Sequence, residues 1–299
     1  MRVSAIICTR NRPDLIGGAI GSVLANTYPD FDLLVVDQSD DDTTGQTVRG
    51  LMQNHPNLRY MHSALPGLSR AYNTAIRETN GAVLAFTDDD CIAPSDWIAS
   101  IVQAFEAEPD AEMLYGQVCQ PESLRTCKDQ IPTLEFTETG RFSRDDGFRV
   151  YGMGANFAAR RLIFERVGFF DEILGGGGPL KSSQDFDFQY RAYVSGAVVL
   201  VRPDVRVDHY GVRNREQWPA TVRAYGNGDG AFYFKHVRCG DLFALSLFVR
   251  RLVRLSLGFT VHTLRNKPSN RTYLVGCLEG MHMSRRFAVD RERRLYRAA

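Results

Sequence analysis

The sequence is poor in the features that mark disulfide-rich or zinc-binding domains. It has 6 cysteines in 299 residues, and no two of them stand at CxxC spacing. The first apolar run, Val3–Cys8, is too short for a secretory signal peptide. We therefore expect scattered free thiols in a reducing cytosol, rather than a disulfide framework or a zinc site.

Excess charge of either sign is also missing. The formal net charge is +1, which argues against a general nucleic-acid binder. Hydrophobic residues make up 44% and charged residues 24% of the chain, values that exclude a disordered or collagen-like protein. The charge is unevenly distributed, however. From Lys235 to the end there are 14 Lys and Arg against 4 Asp and Glu, a net charge of +10, and the remainder carries −9.

An uninterrupted membrane-spanning segment is absent as well. Leu242–Leu264 is strongly apolar but contains Arg250, Arg251 and Arg254, and burying each near a bilayer centre costs about 2.5–3.5 kcal/mol. At 100° per residue the three arginines fall in one sector of a helix. The pattern favours a helix in the membrane interface, with arginines toward lipid phosphates. A helix packed on the protein body with a basic outer stripe is the alternative.

The N-terminal half alternates apolar strands with amphipathic helices. Strands without polar alternation are typical of a parallel sheet covered by helices on both faces. The predicted strands are 3–8, 31–36, 58–61 and 82–86, and the helices between and after them are 13–24, 67–79 and 95–105. Further on, we predict a loop at 38–44, loop with short helix at 119–150, helices at 161–167 and 184–194, and strands at 198–201 and 205–207. The four glycines 175–178 predict a mobile loop or a lid that orders over a ligand.

Three consecutive carboxylates, Asp88, Asp89 and Asp90, close the fourth strand. In an extended chain Asp88 and Asp90 point to the same side, and such a pair suits Mg²⁺ or Mn²⁺ together with phosphate oxygens. A polar turn beside a helix start is the alternative. Because ligands bind at the carboxyl ends of parallel strands, Asp37 and the segment from Thr9 to Arg12 favour a nucleotide at the same sheet edge.

Two later segments carry weaker signals. Asp185 and Asp187 open a helix, where a carboxylate either accepts a proton from a hydroxyl or only favours the helix N-terminus. His209 follows a short strand and is either a metal ligand or a core histidine.

In chain order, these segments resemble the family 2 glycosyltransferases, which have the GT-A fold. The resemblance covers roughly residues 1–215. It depends on Ala5–Arg12, Leu33–Asp37, Gly67–Asn73, Phe86–Asp90, Gly154–Asn156, Val167–Glu172, Gln184–Asp187 with Arg191, and His209.

The resemblance implies an α/β fold of the GT-A type, with a mostly parallel sheet flanked by helices and a C-terminal helical extension. It implies a catalytic domain at 1–231, with a nucleotide-binding half 1–118 and an acceptor-binding half 119–231, followed by a basic helical region at 232–299. It assigns Asp185 as the catalytic base. The nucleotide-sugar site it implies consists of Thr9, Arg12, Asp37, Arg70, Asp88 and Asp89. The implied Mn²⁺ or Mg²⁺ ligands are Asp90 and His209, and the implied acceptor contacts are Asn156 and Asp187.

Two departures from the family pattern refine the expected activity. Gln184 stands where the family usually has Glu, which lowers the local negative charge but leaves Asp185. The Gln-x-x-Arg-Trp motif of processive synthases is absent, so we expect transfer of a single sugar from a nucleotide-diphospho-sugar. The expected acceptor is a carbohydrate or a lipid-linked molecule of the cell envelope. The expected location is cytoplasmic and peripheral, on an anionic inner membrane face.

Two other classes remain open, of which the first is another metal-dependent phosphoryl-transfer enzyme, either a nucleotidyltransferase or an aspartate-nucleophile phosphatase. A nucleotidyltransferase usually has a glycine-rich basic loop after its first strand, which Thr9–Pro13 is not. An aspartate-nucleophile phosphatase carries its paired aspartates after the first strand, whereas here they follow the fourth. A non-catalytic sugar-binding scaffold of the same fold is the other class, against which the intact Asp88, Asp90 and Asp185 argue.

Overall fold

The computed structural model describes residues 1–263 and 269–297 and divides the chain into two compact units. Unit 1 comprises residues 1–66, 70–169 and 189–212. Unit 2 comprises residues 67–69, 170–188 and 213–299. The described helices are α1 Pro13–Leu24, α2 Thr43–Met52, α3 Leu68–Glu78, α4 Trp97–Ala107, α5 Leu162–Val167, α6 Gln184–Val194, α7 Trp218–Arg238, α8 Leu242–Thr263 and α9 Ser269–Ser284. The described strands are β1 Val3–Thr9, β2 Phe31–Asp37, β3 Leu58–His62, β4 Val83–Asp88, β5 Cys91–Ile92, β6 Ala111–Cys119, β7 Gly140–Phe142, β8 Asn156–Arg160, β9 Val198–His209, β10 Ala288–Asp290 and β11 Leu295–Arg297.

Unit 1 is built on a mixed sheet with the order β3-β2-β1-β4-β8-β6-β9-β5, and β7 pairs with β9. Strands β3, β2, β1 and β4 run parallel, as the alternating pattern predicts, while β8 is antiparallel to both of its neighbours. All seven residues of β1 are buried, because helices cover both faces of the sheet. The four parallel strands therefore end at one edge, where the sequence places its polar residues.

The predicted helices form where the apolar residues recur at helical spacing. Pro13 at the start of α1 has the φ that a first helical turn needs, and Ile16, Ala19, Ile20 and Val23 bury one face against the sheet. Trp97 begins α4 and is fully buried in the same core. The predictions for α3, α5 and α6 also match the structure within a residue or two.

Four details differ from the predictions. The segment expected as a loop at 38–44 passes into helix α2, which begins at Thr43. Strand β6 was not predicted. The two short strands expected at 198–201 and 205–207 form a single strand, β9. Its register against β6 shifts between Gly116 and Gln117, which pair with Arg202 and Arg206, so that residues 203–205 of β9 form the irregular part of the strand. The expected domain boundary between 231 and 232 falls inside helix α7, which is continuous across it.

Unit 2 contains the helices α7, α8 and α9 and the hairpin β10–β11. Glycines bring the backbones of α7 and α9 close together. A Cβ added at Gly226 or Gly230 would lie 2.1 Å from a carbonyl oxygen of α9, and one added at Gly276 or Gly280 would lie 2.2 or 1.8 Å from a carbonyl oxygen of α7. Residues that lack a side chain are therefore required at all four positions.

Candidate active site

The polar residues at the sheet edge of unit 1 are brought together by strand pairing. Thr9, the last residue of β1, is paired with Asp37 at the end of β2. Cys8 is paired with Asp88 at the end of β4. This register places the ends of three parallel strands side by side, which is the arrangement expected from the sequence.

Asp89 and Asp90 are buried and are held by Thr9 at the end of β1 and by Arg12 in the loop that follows. Thr9 Oγ1 donates a hydrogen bond to Asp89 Oδ2 at 2.7 Å. Arg12 Nη1 lies 2.8 Å from Asp89 Oδ1 and 2.5 Å from Asp90 Oδ2. A single guanidinium, with 31% of its side chain exposed, therefore neutralises part of the charge of two carboxylates.

His209 reaches the same cluster because β5 pairs with β9. The register places Cys91 opposite His209, and His209 Nε2 lies 3.2 Å from Asp90 Oδ1. The contact does not have hydrogen-bond geometry, so Asp90 Oδ1 is buried without a hydrogen-bond partner, and so is His209 Nδ1. Burial opposes ionisation of Asp90, but His209 and Arg12 outweigh it and lower the pKa of Asp90 to about 2.

The donor set around Asp90 fits a divalent cation. A buried carboxylate oxygen without a hydrogen-bond partner and an imidazole nitrogen are ligands of the kind that Mn²⁺ accepts, and carboxylate oxygen also suits Mg²⁺. The space beside them is kept clear by Gly211, where an added Cβ would lie 2.5 Å from Asp90 Oδ2 and 2.8 Å from His209 Nε2. The Cys91 thiol is also within reach of these two groups. Burial and the nearby Asp88, however, raise the pKa of Cys91 well above its ordinary value, so it stays a neutral thiol.

The three other expected nucleotide-binding residues differ in their surroundings. Burial, together with the neighbouring Asp90 and Asp89, raises the pKa of Asp88 to about 7. Asp37 is fully buried. Its carboxylate accepts from the Ser39 backbone N–H at 2.8 Å and from the Tyr60 hydroxyl at 2.9 Å. Arg70 is half-buried in the first turn of α3.

Asn156 has surroundings that differ from those expected of an acceptor-binding residue. Its side chain is fully buried. The amide oxygen accepts from Trp97 Nε1 at 3.0 Å, and the amide nitrogen donates to the carbonyl oxygens of Gln117 at 2.8 Å and Val205 at 3.1 Å. These hydrogen bonds already occupy the amide N–H groups and the amide oxygen of Asn156, which would otherwise bind an acceptor sugar. We therefore assign Asn156 to holding strands β6, β8 and β9 together.

Asp185 lies in the first turn of α6 in unit 2 and is half-buried. Its Oδ1 accepts a hydrogen bond from the backbone N–H of Phe186 at 2.9 Å. A carboxylate side chain is favourable in the first turn of a helix, which suits Asp185 to this position. The glycine segment that precedes α6 in the chain is an ordered turn, with Gly175 N–H donating to Leu180 O at 2.8 Å.

Asp187 has a structural environment rather than that of an acceptor contact. Its side chain is fully buried, with Oδ1 2.6 Å from Lys235 Nζ and 2.9 Å from His236 Nε2. Lys235 is also fully buried and lies 2.6 Å from Asp171 Oδ2. Burial lowers the pKa of His236 to about 4, against the opposing effect of Asp187. A neutral His236 therefore donates from Nε2 to the carboxylate, while its Nδ1 lies 3.4 Å from Arg294 Nη1.

Sequence reasoning missed Lys235 and His236, because it counted Lys235 only as part of a basic C-terminal segment. Asp171, a partner of Lys235, is 64 residues away in the chain, and Asp187, the partner of His236, is 49 residues away. The sequence signal that could have revealed them is their position in a glycine-rich, aromatic stretch, which is typical of a buried helix. That signal is weak without the structure.

Helix α8 has an exposed apolar surface, which we call the α8 stripe: Leu242, Leu245, Val249 and Val253. At 100° per residue the four side chains lie within a sector of about 80°. Arg250 and Arg254 are exposed beside the stripe. Among the described helices, none is both long and apolar enough to cross a bilayer.

The expectation that Arg251 faces lipid together with Arg250 and Arg254 is wrong. Arg251 Nη2 donates to the Tyr273 hydroxyl at 2.8 Å and to Asp229 Oδ2 at 3.3 Å. Burial opposes its charge, but Tyr273 and Asp229 outweigh that effect and raise the pKa of Arg251. The buried carboxylate of Asp229 on α7 and the Tyr273 hydroxyl on α9 therefore hold this arginine between the two helices.

Comparisons with known proteins agree with this architecture. A family model described as "Glycosyl transferase family 2" matches residues 4–168. The glucosyl-dolichyl phosphate glucuronosyltransferase of Haloferax volcanii is 25% identical over 217 residues, which cover 70% of this chain and 69% of that protein.

Two solved structures share the fold. The mannosyltransferase PcManGT from Pyrobaculum calidifontis, in complex with GDP-Man and Mn²⁺, is 18% identical, with a TM-score of 0.62 over 95% of this chain and 86% of that chain. The S. aureus TarS fragment 1–349 in complex with UDP is 20% identical, with a TM-score of 0.57 over 77% of this chain and 65% of that chain. At these identities the two structures support the fold alone. The family model covers more than half of the chain, and the protein therefore belongs to glycosyl transferase family 2 and is a glycosyltransferase with the GT-A fold.

Proposed function

We propose that this protein is an inverting, metal-dependent glycosyltransferase that moves a single sugar from a nucleotide-diphospho-sugar to a hydroxyl acceptor. The observation that carries the proposal is the pair formed by Asp90 and His209, with a buried carboxylate oxygen left without a hydrogen bond beside a space that only a glycine leaves open. Asp90 and His209 would hold Mn²⁺ or Mg²⁺. The bound cation would supply charge that stabilises the leaving nucleotide diphosphate.

The other residues at the sheet edge supply the contacts that a nucleotide diphosphate needs. Arg12 has the geometry to bind phosphate oxygens once it leaves Asp90. Thr9 and Asp89 are bonded to each other and fix the loop that carries Arg12. Asp88, at the carboxyl end of β4, offers carboxylate oxygens that suit a ribose hydroxyl. In support, solved structures of the same fold hold GDP-Man with Mn²⁺, UDP and UDP-GlcNAc.

Asp185 is the base in this proposal. A sugar hydroxyl is a weak nucleophile until its proton is removed in the transition state, and a positioned base supplies about 10²–10⁴-fold in rate. The Asp185 carboxylate takes that proton as the hydroxyl oxygen attacks the anomeric carbon from the side opposite the leaving group. The new glycosidic bond forms as the bond to the nucleotide diphosphate breaks, and the configuration inverts.

The metal site is tested by calorimetry on Asp90→Asn with UDP and GDP, each with and without Mn²⁺. We expect Mn²⁺ to strengthen nucleotide binding to the native protein, and this enhancement to be lost in the variant. Asp96→Asn, in the turn before α4, is a matched control. Full Mn²⁺ enhancement in Asp90→Asn would place the metal elsewhere.

The base is tested by turnover of Asp185→Asn. Asn keeps the size and the hydrogen-bonding capacity of the side chain at the helix start but no longer accepts a proton. We expect kcat to fall by at least about 10²-fold while donor affinity stays within a few-fold, because the lost interaction belongs to the transition state. Turnover close to that of the native protein, at unchanged stability, would refute the assignment.

A thermal-shift screen of nucleotide-sugars with Mn²⁺ identifies the donor, because a ligand that binds only the folded state raises its stability. Release of nucleotide diphosphate from that donor without an acceptor separates this function from its alternatives. A nucleotidyltransferase would release pyrophosphate from a nucleoside triphosphate, and a non-catalytic scaffold would bind the donor without cleaving it.

The acceptor side of the proposal is a lipid-linked or envelope carbohydrate at an anionic membrane surface. The α8 stripe and the neighbouring Arg250 and Arg254 support it, because apolar side chains next to cations fit the boundary between acyl chains and anionic headgroups. The name of the Haloferax relative specifies a glucosyl-dolichyl phosphate substrate, which agrees with such an acceptor.

Flotation with vesicles tests the membrane contact. The full-length protein should float with vesicles that contain phosphatidylglycerol and much less with vesicles of phosphatidylcholine alone. Val249→Glu, at a side chain that is 48% exposed, should abolish flotation, whereas Val275→Glu on α9, with 39% exposure, is the control. Equal recovery with both lipids, or retention of binding by Val249→Glu, would overturn this part of the proposal.

A further inference from the structure

Ser183, two residues before Asp185, has a backbone conformation that needs support. Its φ is +68°, in the left-handed region that side-chain-bearing residues rarely adopt. Such a residue persists when its surroundings hold it, and such residues concentrate at functional sites. Here the support comes from α7, because Ser183 Oγ donates to Asp229 Oδ1 at 2.7 Å.

Asp229 is itself fixed. It is 6% exposed, and its other carboxylate oxygen accepts from the Tyr273 hydroxyl and from Arg251. Ser183 is therefore bound to a carboxylate that α8 and α9 hold in place.

The residue two positions after Asp185 is held by the same helix. Asp187 is bonded to Lys235 and His236 near the C-terminal end of α7. The backbone N–H of Asp187 also donates to the carbonyl oxygen of Ser183 at 2.9 Å, which closes the first turn of α6. Asp185 thus lies between Ser183 and Asp187, and each of these two residues is bound by side chains of α7.

We infer that helix α7 positions Asp185, by binding Ser183 through Asp229 and Asp187 through Lys235 and His236. The inference rests on the proposed role of Asp185. It makes Ser183, Asp229 and His236 positioning residues that act through Asp185 without contacting the acceptor. A small displacement of a base costs rate steeply, since reacting groups need a near-attack geometry.

Kinetics of Ser183→Ala and His236→Phe test the inference, with release of nucleotide from UDP-GlcNAc and GDP-mannose in the presence of Mn²⁺ as the readout. We expect kcat to fall roughly tenfold in each variant, with the donor KM within about twofold of the native value. His236→Gln restores a donor to Asp187 and should recover most of the loss. Ser195→Ala, just beyond the end of α6, and His282→Phe, on the exposed face of α9, are the matched controls.

A double-variant cycle separates positioning from general loss of structure. If Ser183 acts only through the base, then adding Ser183→Ala to Asp185→Asn should lower kcat by less than about twofold further. A tenfold further loss in the Asp185→Asn background would overturn the inference, as would native kcat in both single variants.

The same measurements keep the two proposals apart. Native turnover in Asp185→Asn would refute both the assignment of Asp185 as the base and the inference that α7 positions it. A large loss in Asp185→Asn together with native turnover in Ser183→Ala and His236→Phe leaves the base in place and removes only the positioning by α7.

Discussion

Replacing Lys235 with methionine should strongly destabilise the fold, because this residue is the buried cation between two buried carboxylates. Its ammonium lies 2.6 Å from Asp171 Oδ2 and 2.6 Å from Asp187 Oδ1, and all three side chains are fully buried. The adjacent His236 is neutral at pH 7, since burial lowers its pKa to about 4. Methionine fills similar volume and carries no charge, so both carboxylates lose their nearest cation.

The size of the effect follows from this arrangement. Removing one partner of a buried ion pair costs about 3–5 kcal/mol, because the remaining charge is left without compensation. Backbone N–H groups of Tyr296 and Ile173 still donate to Asp171, and they keep the cost within that range. We expect the free energy of unfolding at pH 7 to fall by about 3–5 kcal/mol.

Urea denaturation at pH 7 measures this change. With an m value of about 3 kcal/mol/M, the midpoint should fall by about 1 M or more at an unchanged slope. Lys181→Met, at an exposed lysine, is the control and should stay within about 0.5 kcal/mol of the native protein. Adding Asp187→Asn to Lys235→Met should recover about 1–2 kcal/mol, since it removes one of the two uncompensated charges. A loss below about 1 kcal/mol in Lys235→Met would refute the reasoning.

Three further outcomes are expected. By calorimetry, Arg12→Gln should bind Mn²⁺ alone about tenfold more tightly, because removing a partly exposed cation next to Asp90 is worth on the order of 1.4 kcal/mol. The variant should bind nucleotide diphosphate about tenfold more weakly, because it lacks the guanidinium that would contact the phosphate. Unchanged Mn²⁺ affinity would count against a metal at Asp90. The pKa of His236 is lowered to about 4 in the folded state, so the unfolded chain binds a proton at a higher pH than the folded protein does. The free energy of unfolding should therefore fall by about 3 kcal/mol as the pH drops from 6.5 to 4. An equally steep fall in a His236→Gln variant would contradict this. Asn156→Leu should lower the free energy of unfolding by about 2–4 kcal/mol, because the buried partners of Asn156 lose their hydrogen bonds. If the variant instead had the native unfolding midpoint and a raised KM for the acceptor, Asn156 would be an acceptor contact after all.

The sequence predicted well the elements whose buried residues form a continuous apolar run or recur at helical spacing within one short segment. Strands such as β1 are apolar at nearly every position, and α1 combines a proline start with four buried residues on one face. Asp88 and Thr9 were predicted to lie together because parallel strands end at one edge, and the pairing of β1 with β2 and β4 confirms that geometry.

The elements that the sequence did not reveal depend on partners far away in the chain. Helix α2 contains two glycines and buries only Thr44, Gly45 and Val48, so its own pattern is too weak to predict a helix. The position of Asn156 in the core becomes apparent only when Trp97, 59 residues earlier, supplies its hydrogen bond. Lysine is rarely buried in proteins, and the ion pairs of Lys235 with Asp171 and Asp187 become visible only in the structure.

The four glycines between α7 and α9 have a consequence for engineering the protein. Glycine to alanine in a helix ordinarily stabilises by roughly 0.5–1 kcal/mol, so a scheme that ranks substitutions by helix propensity would select Gly226, Gly230, Gly276 and Gly280 first. Each added methyl would instead meet a carbonyl oxygen of the facing helix at 1.8–2.2 Å. Since α7 also carries Asp229, Lys235 and His236, a substitution that separates the two helices would move these groups as well. Thermostabilisation is better directed to Gly50, at the exposed face of α2, where an added Cβ meets nothing within 4 Å.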